Sequence, residues 1–114
     1  MKRVSFEVAK TIKEAGYPQE NIGYGMVYNT RERLVEVYGM CESFVAAPTY
    51  LEVWLWLWRE KKIAIPADYF GYENNYWESC VPIGNDRFEF FSKMKDPEKA
   101  IIAAIEYLVT NKLI

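Results

Sequence analysis

The sequence predicts an α+β fold, with a mainly antiparallel sheet of four to five strands and three helices in the order α-β-β-α-β-β-β-α. Three observations predict it. Segments at the two ends of the chain open on capping residues and carry helical periodicity. Short β-branched and aromatic runs, separated by turn residues, fill much of the middle. Between them, Thr49-Tyr50-Leu51-Glu52-Val53-Trp54-Leu55-Trp56-Leu57-Trp58-Arg59-Glu60 holds three of the four tryptophans and has the length of a helix rather than a strand. The 114 residues suit a single domain spanning the whole chain.

Ser5 is placed to cap a helix over Phe6 to Ala15, with Gly16 as its stop and Pro18 just beyond. Val8, Ala9, Ile12 and Ala15 form its apolar stripe, and Lys10, Lys13 and Glu14 face away. Two strands follow, Asn21 to Tyr28 and Arg33 to Gly39, joined by a turn at Asn29-Thr30-Arg31-Glu32. Met40 to Pro48 reads as a connecting loop. In the tryptophan segment Thr49 and Glu52 make the T-x-x-E capping box, and Arg59-Glu60-Lys61-Lys62 puts cations at the negative end of the helix dipole. Ile63-Ala64-Ile65-Pro66 reads as a short edge strand, because proline cannot donate to an interior ladder. A loop from Asp68 to Asn75 leads to a hairpin, Tyr76 to Ile83 and Arg87 to Lys93, around Gly84-Asn85-Asp86. Asp96-Pro97-Glu98 starts the last helix, which runs to about Asn111.

On a helical projection Tyr50, Leu51, Val53, Trp54, Leu55, Leu57 and Trp58 cover an arc of roughly 200°. Glu52, Arg59 and Glu60 hold the remaining sector, and Trp56 stands among them. Two readings follow. Either the sheet and terminal helix cover every ring, or Trp56, with Val53, Leu57 and Glu60 around it, forms a surface for self-association or a protein partner.

Composition narrows the chemistry. Hydrophobic residues make up 51% of the chain and aromatic ones 17%, far from the profile of a disordered segment. No apolar run approaches the roughly 18 residues of a membrane helix, and the basic start lacks a signal-peptide core, so the expectation is a soluble, cytoplasmic protein. The net charge of −2 argues against nucleic acid, whose binders concentrate basic residues on one face. Cys41 and Cys80 form no metal-binding or redox motif, and the expectation is two unpaired thiols. The chain has no histidine, which removes the commonest general base and the Ser-His and Cys-His nucleophile pairs. The acid pairs nearest in sequence, Glu73/Glu78 and Asp86/Glu89, have the spacing of an ordinary soluble surface, and Asp68, Glu73 and Asn74 lack calcium-loop spacing. No catalytic residue, metal ligand or cofactor is therefore assigned.

One stretch has the composition of a recognition surface. In Asp68-Tyr69-Phe70-Gly71-Tyr72-Glu73-Asn74-Asn75-Tyr76-Trp77 the rings offer area and the amides adaptable hydrogen bonds. Its candidate ligand-binding residues are Tyr69, Tyr72, Asn74, Asn75, Tyr76 and Trp77, for a small ligand or, in the weaker form, a nucleic acid.

Three segments in the same order resemble a group of small proteins of bacteriophages and integrated elements of gut anaerobes, Bacteroides-type, to which no activity is assigned. They are Val4-Ser5-Phe6-Glu7-Val8-Ala9-Lys10 with Lys13-Glu14-Ala15-Gly16, Ala47-Pro48-Thr49-Tyr50-Leu51-Glu52-Val53 with Trp58-Arg59-Glu60-Lys61, and Pro97-Glu98-Lys99-Ala100 with Ala103-Ala104-Ile105 and Leu113-Ile114. In that group one tryptophan precedes the Arg-Glu-Lys run, and Trp58 matches it. The resemblance implies a mobile-element origin and a scaffold role for Trp58. The leading functional expectation is a non-enzymatic protein-interaction module, with a homodimer as one form. The alternative is a small-ligand or nucleic-acid binding module built on Tyr69–Trp77.

Overall fold

The computed structural model describes residues 2–19, 24–39, 42–70 and 75–114. They form helices α1 (Phe6–Glu14), α2 (Tyr50–Lys61) and α3 (Pro97–Thr110). The strands are β1 (Tyr24–Tyr28), β2 (Leu34–Tyr38), β3 (Val45–Ala46), β4 (Asp68–Phe70), β5 (Tyr76–Gly84) and β6 (Arg87–Met94). The α+β class and the antiparallel pairing are as the sequence predicts. The strands, however, are six, and they divide between two three-stranded sheets, β2-β1-β3 and β4-β5-β6. The chain falls into two compact units, residues 1–52 and 53–114.

In the first unit Ser5 caps α1 by accepting a hydrogen bond from the Val8 amide. Val8, Ala9 and Ile12 are buried, so the predicted stripe is the core face. The turn after β1 is built by Asn29, whose Oδ1 accepts from the amides of Arg31 and Arg33. A side-chain amide here does the work of a backbone turn. β3 lies in the stretch expected to be loop. It pairs with β1 at Val27 and Tyr28, and the Ala46 amide on its far side donates to Gln19 Oε1 at 2.9 Å. The side chain thus satisfies the donor that an edge strand leaves open. The Lys13 ammonium donates to the carbonyls of Glu42 and Phe44, and the Arg3 guanidinium to that of Ala47. Burial pushes the Tyr17 phenol up to about 12, with the Glu52 carboxylate adding to the shift.

At the start of α2 the capping box forms in full: the Glu52 amide donates to Thr49 Oγ1, and Glu52 Oε1 accepts from the Thr49 amide. In the second unit α2 ends with Lys62 in the left-handed region, and the Ile63 amide donates back to the Leu57 carbonyl. The indole of Trp54 then donates to the Ile65 carbonyl at 2.8 Å. These bonds fold residues 63–66 back along the helix, so Ile63-Ala64-Ile65-Pro66 is not the edge strand its composition suggests. The strand forms instead at Asp68–Phe70, inside the predicted loop, where it pairs with β5.

The predicted hairpin is present, with β5 and β6 joined through Asn85 and Asp86. α3 is capped by Asp96, whose carboxylate accepts from the Lys99 amide. It packs on β5 and β6 through Ala100, Ala104, Ile105, Leu108 and Val109, all buried, and Phe91 meets Tyr107 edge-on at 5.4 Å.

Candidate functional site

Tyr50, Val53, Trp56 and Leu57 form the buried stripe of α2, with Trp56 only 7% exposed. These positions span about 120° of a helix, centred near Val53. The sequence reading placed Trp56 among charges because it weighted every apolar residue of the segment equally. The true centre lies at one edge of that arc, near Val53, and it brings Trp56 within the stripe. Of the residues named for a surface there, Val53, Trp56 and Leu57 are covered and Glu60 is exposed. Lys61 sits over the Trp56 ring with Nζ 5.5 Å from its centroid. The exposed tryptophan is Trp58, at 55%, which corrects the scaffold role the resemblance implied.

Of the recognition residues, Tyr72 and Asn74 lie outside the described residues. The other four lie at one end of β4-β5-β6, where Tyr69, Asn75 and Trp77 come together and Tyr76 points to the opposite face. Tyr69 and Trp77 are cross-strand partners with ring centroids 5.0 Å apart, and the Tyr69 hydroxyl donates to Asn75 Oδ1. Phe70 and Tyr76 form the next pair, stacked at 5.5 Å and 26°.

Cross-strand partners share a face, so the register assigns the paired side chains of this sheet to its two faces. Trp77, Ser79 and Val81 lie on one face with Tyr69, Phe91 and Glu89. Ser79 and Val81 are buried there, and Phe91 reaches α3. Tyr76, Glu78, Cys80 and Pro82 lie on the opposite, outer face with Phe70, Asp68, Phe90 and Phe88. Three phenylalanines of this outer face are accessible: Phe70 is 46% exposed, Phe88 51% and Phe90 60%. The rings of Phe88 and Phe90 are neighbours, 6.4 Å apart.

Sequence reasoning missed Phe88 and Phe90. In Arg87-Phe88-Glu89-Phe90 the alternation of apolar and polar residues asks for the phenylalanines inside and Glu89 outside. The structure inverts this, with Glu89 half-buried on the α3 face and both phenylalanines outside. The available signal was Phe91, which breaks the alternation and competes for the inner face. Cross-strand pairing also sets Asp68 beside Glu78, with the Cys80 thiol next along the same face. Burial first, and then these two carboxylates, push the Cys80 thiol up, which leaves it a poorer nucleophile.

Where the outer face meets Asn75, a depression of about 190 Å³ is lined by Asn75, Tyr76, Lys93 and Lys95. Among the described residues no group of three or more acids or cysteines is set to hold a metal ion. No helix among them is long and apolar enough to cross a membrane. The chain matches no family model, no curated protein and no solved structure.

Proposed function

We propose that this chain is a non-enzymatic protein-interaction module, able to associate with itself, and that it works through the outer face of β4-β5-β6. The observation that carries the reading is the inverted pattern of β6, which leaves Phe88 and Phe90 side by side and more than half exposed. A ring of this kind buries roughly 150–250 Å² when covered. With about half of each still accessible, the pair leaves on the order of 200 Å² of adjoining apolar area, and Phe70 adds a separate ring toward the Tyr76 end of the face. Aromatic area of this sort forms the core of interfaces, and the flanking Asp68, Glu78, Pro82 and Arg87 supply the mixed rim. The bacteriophage association rests on the sequence resemblance alone.

Two copies covering each other would remove about 400 Å² of apolar area, on the order of 10 kcal/mol gross at ~25 cal/mol/Å². Association costs of about 4–15 kcal/mol leave a weak dimer. Light scattering should therefore run from about 10 µM to about 1 mM, the range in which such affinities appear. The expected result is a mass rising from 13.4 kDa toward twice that value, with Phe90→Ser held at the monomer. A constant monomer mass for both proteins would remove self-association. A partner protein captured equally well by both would remove this face as the interaction surface.

A second reading, a small-ligand site, is favoured by the depression at Asn75, which lies at the end of the same face.

A further inference from the structure

We propose that the depression lined by Asn75, Tyr76, Lys93 and Lys95 is a binding site for a small phosphate monoester carrying a planar group. The inference is independent of the protein-interaction reading, because its donors lie at the end of the face and not among Phe88 and Phe90.

The lining is a set of donors. Lys93 and Lys95 each carry an ammonium group with three N–H bonds and no acceptor. The Asn75 carbonyl oxygen accepts from the Tyr69 hydroxyl, and the side-chain amide adds two N–H donors. Tyr76 adds a phenol. No carboxylate stands among the described residues of the lining. Two positive charges with neutral donors beside them match a dianion with three oxygens better than a singly charged carboxylate. The ring of Tyr76, backed by Phe70, offers a flat apolar wall to whatever the phosphate is attached to.

The backbone is bent to make this set. Trp77 pairs with Met94 and Ser79 with Phe91, so β6 carries one residue more than β5 between these pairs. This is a β-bulge, a device that re-aims side chains and is common beside binding sites. Lys93 lies within it at φ 60°, and Asn75 enters β5 at φ 49°. Asparagine adopts the left-handed region readily; lysine does so at a cost. Two of the four lining residues thus hold unusual backbone conformations, as sites assembled against local preference do. Without the bulge Lys93 would fall into the regular alternation of the strand.

The test is a titration of the whole chain, followed by amide proton–nitrogen spectra at constant ionic strength, with inorganic phosphate, phenyl phosphate and acetate. The expected result is saturable shifts at Asn75, Tyr76, Lys93 and Lys95 with both phosphates, tighter for phenyl phosphate, and no saturation with acetate. Lys93→Gln and Lys95→Gln should each weaken phenyl phosphate by roughly tenfold or more, the loss of one charge-assisted hydrogen bond. Both lysines are exposed, so spectra otherwise unchanged will show that the variants fold. Absence of saturable shifts, or affinity unchanged in both variants, would overturn the site. Acetate bound as tightly as phosphate would overturn the dianion assignment, and equal affinity for the two phosphates would overturn the part given to Tyr76.

Discussion

Trp56 and Trp58 stand two residues apart on one helix and should respond to truncation in opposite ways. Trp56 is covered, so Trp56→Ala leaves a large void and is expected to cost about 3–5 kcal/mol. Trp58 is 55% exposed, and Trp58→Ala should cost under about 1 kcal/mol. Urea unfolding of the two variants checks this, and equal losses, or the larger loss at Trp58, would contradict the placement. The same pair shows where residue-level reading runs out. A helical projection gives relative angles, but the centre of the buried arc is set by tertiary packing. The eight apolar residues of that segment could not say which of them was central. Phe88 and Phe90 carry the same lesson for a strand. Period-two alternation separates two faces without naming the inner one, and Phe91 beside them made either assignment consistent with a buried ring.

Helix starts were legible as elements because each uses side-chain chemistry: Ser5 on the Val8 amide, Thr49 with Glu52, Asp96 on the Lys99 amide. Helix ends were legible in position, before Gly16, at Lys61 and near Asn111, but their closing geometry was signalled only once. All three close with a backbone bond from five or six residues on: Tyr17 to Ile12, Ile63 to Leu57 and Leu113 to Leu108. Only the first places a glycine, Gly16, in the left-handed position before the closing amide; the others use Lys62 and Lys112. Without the glycine there was no signal that residues 63–66 would fold back, and their β-branched character read as a strand. β3, at two residues, is too short for any periodicity to register. The bulge in β6 was equally silent, since it arises from register between strands, and with it went half of the depression. Asn75 and Tyr76 were legible from composition, whereas Lys93 and Lys95 were seen only as scattered charge. The bulge yields its own prediction. Lys93→Gly relieves a left-handed residue and should stabilise the chain by up to about 1 kcal/mol while weakening phosphate binding. A stability loss in urea would show that the lysine side chain, and not its backbone, governs the bulge.

On the scale of the whole molecule, the α+β class followed from capped helices at the two ends and strand runs between them. The split into two sheets did not follow, because local patterning does not say which strands pair. Nor could it show that β4-β5-β6 is covered by α3 on one side while its other side keeps Phe70, Phe88 and Phe90 accessible. That uncovered side is the central claim, and concentration-dependent amide spectra test it most directly. Dilution from about 1 mM to about 10 µM, the range expected of a weak dimer, should move the resonances of Phe70, Cys80, Phe88 and Phe90 and leave those of α1 in place. Shifts confined to α2, or a spectrum independent of concentration, would contradict it.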